Sequence, residues 1–184
     1  MAVVDDVGGG PVLATSDDGS ERSCGGCTAC CEGWLTDESM KLFPGSGCGH
    51  ICSEGCGIYE SRPEAPCRSF KCAWLTEPED FPDAMRPDRA GAIPIKDRDW
   101  HNWRVLRAFP CGTEVPAETL RWLVDYAKPQ QLPVIFYGHH WEGDRYRGMS
   151  ENALGPPRFA EDVKRMPSDA DIFKSMADIS RQQA

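Results

Sequence analysis

The sequence predicts an α+β fold in which a cysteine-rich lobe packs on a small antiparallel or mixed β-sheet with one or two helices. Two observations carry this prediction. Nine of the ten cysteines lie between Cys24 and Cys72, which marks off a module of residues 24–75. Residues 76–155 instead contain apolar runs typical of strands and one helix, in the order β-β-α-β.

The first two strands are predicted from residue type. The runs from Ala90 to Lys96 and from Trp103 to Phe109 are rich in β-branched and aromatic residues, which favour the pleated surface of a sheet. The polar segment Asp97-Arg98-Asp99 lies between the two runs and separates the two predicted strands. These residues therefore indicate an antiparallel pair.

A helix and two further strands follow. Pro116 suits the first turn of a helix in which Leu120, Leu123, Val124 and Ala127 recur at helical spacing, and Lys128-Pro129 ends it. The run from Leu132 to Tyr137 predicts a third strand, and the run from Arg145 to Met149 predicts a fourth. The sheet then has one helix packed on a face.

The remaining segments are polar. Residues 1–23 are predicted to be a flexible acidic tail, and residues 156–184 a polar helical tail with helices from Phe159 to Met166 and from Ala170 to Ile179. Inside the cysteine module, Thr36 is a candidate cap for a short helix that continues to about Phe43.

The cysteines begin with an unbroken C-x-x-C-x-x-C-C run, made by Cys24, Cys27, Cys30 and Cys31. Thiolates bind zinc and iron–sulfur irons strongly, and a two-residue gap lets both sulfurs of a C-x-x-C pair face one ion or cluster. The module is therefore predicted to be stabilised by metal.

A disulfide framework is the competing interpretation, and it needs an oxidising compartment. The N-terminal residues argue against secretion, because Val12-Leu13-Ala14 is too short for the apolar core of a signal peptide and acidic residues surround it. The sequence thus favours metal over disulfides and predicts a cytoplasmic protein.

The charge balance restricts the partners. The chain has 20 Lys and Arg against 29 Asp and Glu, a formal net charge of −9. Such a chain offers no basic footprint for nucleic acid or for an anionic membrane, and it has no apolar stretch of transmembrane length. A protein partner, of unknown kind, stays compatible with the sequence.

A longer pattern brings in a known family. The run from Cys24 to Cys31, followed by Cys56-Gly57-Ile58-Tyr59-Glu60-Ser61-Arg62-Pro63 and Cys67-Arg68-Ser69-Phe70, resembles the YkgJ-like, CxxCxxCC family of zinc- or iron-chelating domains. The resemblance covers roughly residues 24–75. It implies a metal-binding set made of Cys24, Cys27, Cys30, Cys31, Cys48, Cys56 and Cys67.

Several roles stay open within this set. Seven thiols exceed the four ligands of one zinc or one common cluster, so either two metals bind or one metal has spare thiols beside it. Cys52, Cys72 and His50 are further possible ligands in the same segment. Arg62 and Arg68 are candidates to compensate thiolate charge from outside the ligand set.

The sequence contains none of the phosphate-binding, dinucleotide-binding, zinc-protease or serine-hydrolase motifs. It therefore argues against an enzyme and favours a zinc or iron–sulfur protein with a structural, sensing or partner-docking role. The alternative is an iron–sulfur enzyme or enzyme component in redox or protein-methylation chemistry. His139-His140, after the third predicted strand, is an alternative site for a catalytic base or second metal ligand, and Cys111 is predicted to be a small buried residue.

Overall fold

The computed structural model of the chain describes residues 22–165 and confirms the α+β class. The cysteine module and the segment that connects it to the sheet contain only short elements. They are single helical turns at Cys30–Trp34, Tyr59–Ser61, Glu64–Arg68 and Asp83–Met85, strands β1 (Ile51–Cys52) and β2 (Gly55–Cys56), and helices α1 (Ala73–Thr76) and α2 (Pro87–Ala90).

The second half forms a four-stranded mixed sheet. Its strands are β3 (Ala92–Trp100), β4 (Trp103–Pro110), β5 (Val134–Glu142) and β6 (Arg145–Leu154), which lie side by side in that order. The outer pairs are antiparallel hairpins, and β4 pairs with β5 in parallel. Parallel neighbours need a crossover, which helix α3 (Ala117–Ala127) and the turn Lys128–Gln130 supply here.

Both faces of the sheet are covered, because neighbouring residues of a strand point to opposite sides. On one face, Leu106 and Val134 pack against Leu123 of α3 and against Trp74 and Leu75 of the cysteine module. On the other face, the adjacent residues Val105 and Ile135 pack with Phe159 of helix α4 (Pro157–Arg165). The cysteine module thus lies on the same face of the sheet as α3.

The predicted strands were placed correctly but were too short. Strand β3 continues through Asp97-Arg98-Asp99 to Trp100, so these polar residues belong to the strand and do not separate it from β4. A register shift between Ile95 and Arg98 absorbs the polar residues, and the chain reverses at His101, whose φ is 51°. Strand β5 extends to Glu142, five residues past its predicted end.

The predicted helix from Thr36 to Phe43 was also wrong. Asp37 and Leu42 form an antiparallel bridge, and Asp37 Oδ1 accepts hydrogen bonds from the Ser39 hydroxyl and the Met40 backbone N–H. A short acidic side chain that binds the backbone in this way competes with helix formation and favours a turn.

Helix α4 agrees with the helix predicted from Phe159 within the described residues. Tilted and edge-on ring contacts from Trp100 and Trp103 surround Phe159, which is 1% exposed. The predicted helix from Ala170 to Ile179 and nearly all of the predicted acidic tail lie outside the described residues.

Candidate metal centre

The cysteine-bearing loops are joined by backbone hydrogen bonds. The Cys27 N–H donates to the Cys24 carbonyl, and the Cys48 N–H donates to the Cys31 carbonyl, each at 2.7 Å. Ile51 pairs with Cys56 in the small β1–β2 hairpin. These contacts bring cysteines that are far apart in sequence close together in space.

The loops that carry the cysteines enclose a cavity of about 80 Å³. Eight cysteines line it: Cys24, Cys27, Cys30, Cys31, Cys48, Cys56, Cys67 and Cys72. They are the seven candidates from the sequence together with Cys72, whose role the sequence left open. No carboxylate or imidazole among the described residues lines the cavity, and Arg62 is the one cationic or acidic side chain there.

The strongest electrostatic influences among the thiols fall within two groups, and weaker ones cross between them, from Cys56 on Cys24 and from Cys24 on Cys31. Burial raises the pKa of the Cys30 thiol well above its ordinary value, and thiolates at Cys72, Cys24 and Cys27 raise it further. Burial also raises the pKa of Cys72 to about 12, with smaller contributions from Cys24 and Cys27. These four cysteines form the first quartet: Cys24, Cys27, Cys30 and Cys72.

Cys31 belongs to the other group. Burial raises its pKa to about 12, and the next contributions come from Cys56, Cys48 and Cys67. The pKa of Cys67 is raised by burial and then by the same Cys48 and Cys56. We call Cys31, Cys48, Cys56 and Cys67 the second quartet. The adjacent residues Cys30 and Cys31 are thus grouped apart by their strongest influences.

Backbone N–H groups support the sulfurs of the first quartet. Burial raises the pKa of Cys27, and hydrogen bonds from the backbone of Ala29 and Asp88 oppose that rise. Hydrogen bonds from the backbone of Leu75 and Trp74, in the first turn of α1, likewise oppose the rise in the pKa of Cys72. Hydrogen bonds to sulfur favour the thiolate, which is the form that binds metal.

Arg62 has the geometry expected of a charge-compensating group. Its guanidinium carbon lies 3.7 Å from the centre of the Tyr59 ring, and its buried Nε has no hydrogen-bond partner. Burial alone would lower its pKa, but the Tyr59 side chain and thiolates at Cys24 and Cys56 raise it. An N–H without a partner beside thiolates is suited to donate to sulfur.

Arg68 has a different position from the one expected. It does not line the cavity, and its guanidinium donates to the backbone carbonyls of Arg62 and Glu60. Arg68 therefore holds the loop that presents Arg62.

Three other candidates lie outside the lining. Cys52 and His50 are exposed, so the structure does not bring either to the thiols. Cys111 is half-buried, not fully buried, and its Sγ lies 3.6 Å from the Pro87 carbonyl oxygen. Burial raises its pKa to about 12, and Cys27 is the next largest cause, so Cys111 lies behind the first quartet.

The sequence also misplaced His139, which lies inside β5 and is 3% exposed. Its ring stacks on Trp34 at 5.7 Å, its Nδ1 lies 2.7 Å from the Gly112 carbonyl oxygen, and its buried Nε2 has no hydrogen-bond partner. His139 thus joins the cysteine module to the sheet and does not reach the cavity. Its alternation with buried Tyr137 along one strand was the available signal.

The thiols are not paired with one another. All ten cysteines lie within the described residues, and none is in a disulfide. Between residues 22 and 165, no group of three or more His, Cys, Asp or Glu side chains is placed so that it could hold a metal ion. Ligation would therefore require thiol side chains to turn toward the metal.

The donor chemistry nevertheless fits a metal. Soft sulfur donors in two sets of four match the ligand number of a structural zinc or a common iron–sulfur cluster. A cavity of about 80 Å³ is far below the size of organic cofactor pockets, which are on the order of 300 Å³ or more. The quartets would hold the metal and Arg62 would offset its thiolate charge.

Gly33 and Gly55 hold the loops of the module close together. Gly33 has φ 86°, and a Cβ there would lie 2.2 Å from the Phe43 carbonyl oxygen. Gly55 has φ 119°, and a Cβ there would lie 2.5 Å from the Gly25 carbonyl oxygen. Neither position can accept a side chain unless the backbone moves.

We expect Gly33→Ala to reduce the free energy of unfolding by about 1–3 kcal/mol and to lower metal content, because it separates the Cys31 and Cys48 loops. Thermal unfolding and metal analysis would measure both. Gly49→Ala is the matched control, since a Cβ at Gly49 meets nothing within 4 Å. Equal losses in the two variants would contradict this packing argument.

Comparison of the chain with family models, with curated proteins and with solved structures found no match. The likeness to the CxxCxxCC family thus remains a resemblance carried by the cysteine motifs. Every helix between residues 22 and 165 is too short or too polar to cross a membrane.

Proposed function

We propose that this chain is a metal-binding protein whose eight cavity cysteines hold two four-thiolate centres, each either zinc or an iron–sulfur cluster. The observation that carries the proposal is the convergence of eight cysteines from four separate stretches of chain on one small cavity. Thiols rarely gather in this way without a ligand, because each thiolate that forms raises the free energy needed to ionise the next thiol.

The division into quartets supports two centres. A single metal or cluster would use four sulfurs and leave four cavity thiols with no role, whereas two centres use all eight. Burial is the largest cause of the raised pKa values of Cys30, Cys31 and Cys72, and repulsion between thiolates adds to it. A bound cation would offset both effects by stabilising the thiolates.

The role that follows is structural, sensing or partner docking in the cytoplasm. The candidate ligands are all sulfur, as in closed zinc sites and iron–sulfur centres, and hydrolytic zinc sites instead combine His and carboxylate ligands with an open position. Reduced thiols are maintained in the cytoplasm, which agrees with ten cysteines outside disulfides.

Elemental analysis and a visible spectrum of protein purified without oxygen test the proposal. We expect close to two zinc ions per chain in a colourless sample, or iron with acid-labile sulfide in a brown sample that reductant bleaches. The brown sample would also favour the redox or methylation-type enzyme component over a structural role.

Two results would contradict the proposal. Protein that contains neither metal and has no titratable thiols would show that the cysteines are paired as disulfides. Protein with free thiols that binds neither zinc nor iron on reconstitution would show that the cavity is not a metal site.

A further inference from the structure

A second cavity adjoins the cysteine cavity. It is a cleft of about 550 Å³, large enough for a small organic ligand. The two cavities share one wall, formed by Cys24, Tyr59, Arg62, Cys67 and Phe70. Cys24 belongs to the first quartet and Cys67 to the second. The cleft therefore reaches one sulfur of each proposed centre.

The cleft carries positive charge on an acidic protein. Its cationic side chains are Arg22, Arg62, Arg68 and Lys71, and its acidic side chains are Glu60 and Glu64. This excess of two positive charges contrasts with the net charge of −9 of the whole chain.

The cationic groups are held by the fold. Arg22 donates to the backbone carbonyls of Trp74, Phe81 and Pro78, and Arg68 donates to two carbonyls of the Arg62 loop. Fixed charges along a cleft raise the local concentration of an anion and its association rate.

We propose that this cleft is the route by which metal enters and leaves the cysteine cavity, and that it binds a small, carboxylate-bearing chelate of the metal. This inference rests on the proposed metal-binding function. The positive charge of the cleft would attract the carboxylates of the chelate, and Cys24 and Cys67 would make the first thiolate contacts. Each thiol that ligates would lose its proton to solvent and displace one carboxylate of the chelate, with no change of oxidation state.

The test compares metal removal from the isolated holoprotein by an anionic chelator, EDTA, and by a neutral pyridyl-amine chelator. Released metal is measured over time by mass spectrometry, after the starting metal content has been shown to equal wild type. At about 10 mM salt, where screening is weak, we expect Lys71→Gln to slow removal by EDTA about threefold and to leave the neutral chelator unaffected.

A variant that changes the charge of the cleft in the opposite direction makes the test specific. Glu64→Gln removes a negative charge from the same cleft and is expected to accelerate removal by EDTA about threefold. The matched control is the double variant Arg121→Gln and Lys128→Gln on exposed positions of α3 and its following turn, which removes two cations outside the cleft. It should leave both rates unchanged.

The results separate this inference from the proposed function. A wild-type protein without metal would refute both. If Lys71→Gln, Glu64→Gln and wild type are all loaded with metal and lose it to EDTA at equal rates, the proposed role of the cleft is refuted and the metal-binding function stands. The proposed role of the cleft would also be refuted if the α3 double variant slowed metal removal by EDTA as much as Lys71→Gln does.

Discussion

Removing the metal is expected to unfold the cysteine module. Between residues 24 and 72 the buried apolar residues are Ala29, Leu42, Pro44 and Cys72, which cannot offset the entropy of ordering that segment. Structural zinc binding contributes on the order of 10 kcal/mol, comparable with the whole stability of a domain. The loss of metal should therefore remove the main stabilising interaction of the module.

Limited trypsin digestion before and after chelation would measure this effect. We expect rapid cleavage after Lys41, Arg68 and Lys71 only in the metal-free protein. Arg107 lies in the central strand β4 and serves as the internal control, because the sheet has its own core on both faces. Restored protection after metal is added back would separate metal loss from irreversible damage. An unchanged digestion pattern and melting temperature in metal-free protein would contradict the prediction.

Cysteine substitutions are expected to divide by quartet. Cys30→Ser and Cys72→Ser should each remove the first centre, and Cys31→Ser should remove the second, so that each variant keeps about half of the metal. Cys72 is the most informative of these, because the sequence left its role open. Metal analysis of the purified variants, together with their melting temperatures, measures the effect.

Two substitutions serve as controls. Cys52→Ser changes an exposed thiol in the same module, and Cys111→Ser changes a thiol that lies behind the first quartet without lining the cavity. Both should keep the full metal content. If Cys30→Ser and Cys31→Ser each lost all of the metal, a single shared centre would replace the two-centre proposal. Normal metal content in Cys72→Ser would remove that residue from the first quartet.

Most of the sheet and its helix could be predicted because their signals are local. Leu120, Leu123, Val124 and Ala127 share one face of a helix by their spacing alone, and α3 has close to its predicted bounds. Strand ends were predicted less well. The polar residues of β3 after Lys96 stay in the strand because β4 provides the hydrogen-bond partners, and no local pattern contains that information.

In the cysteine module the chemistry could be predicted from the sequence, but the packing of its segments could not. The resemblance of its motifs to the CxxCxxCC family implied seven of the eight cavity thiols, and such a resemblance needs no knowledge of the fold. Only the tertiary structure brought Cys72 to the cavity, placed His139 against Trp34, and put Arg68 outside the lining. These positions depend on how distant segments pack.

The same distinction explains the proposed centres. The sequence determined the donor type and predicted zinc or an iron–sulfur cluster, because thiolate chemistry belongs to the residue. Which cysteines lie near one another depends on the fold. Backbone hydrogen bonds and glycines such as Gly33 and Gly55 bring loops tens of residues apart into contact, so neighbours in sequence, Cys30 and Cys31, belong to different quartets.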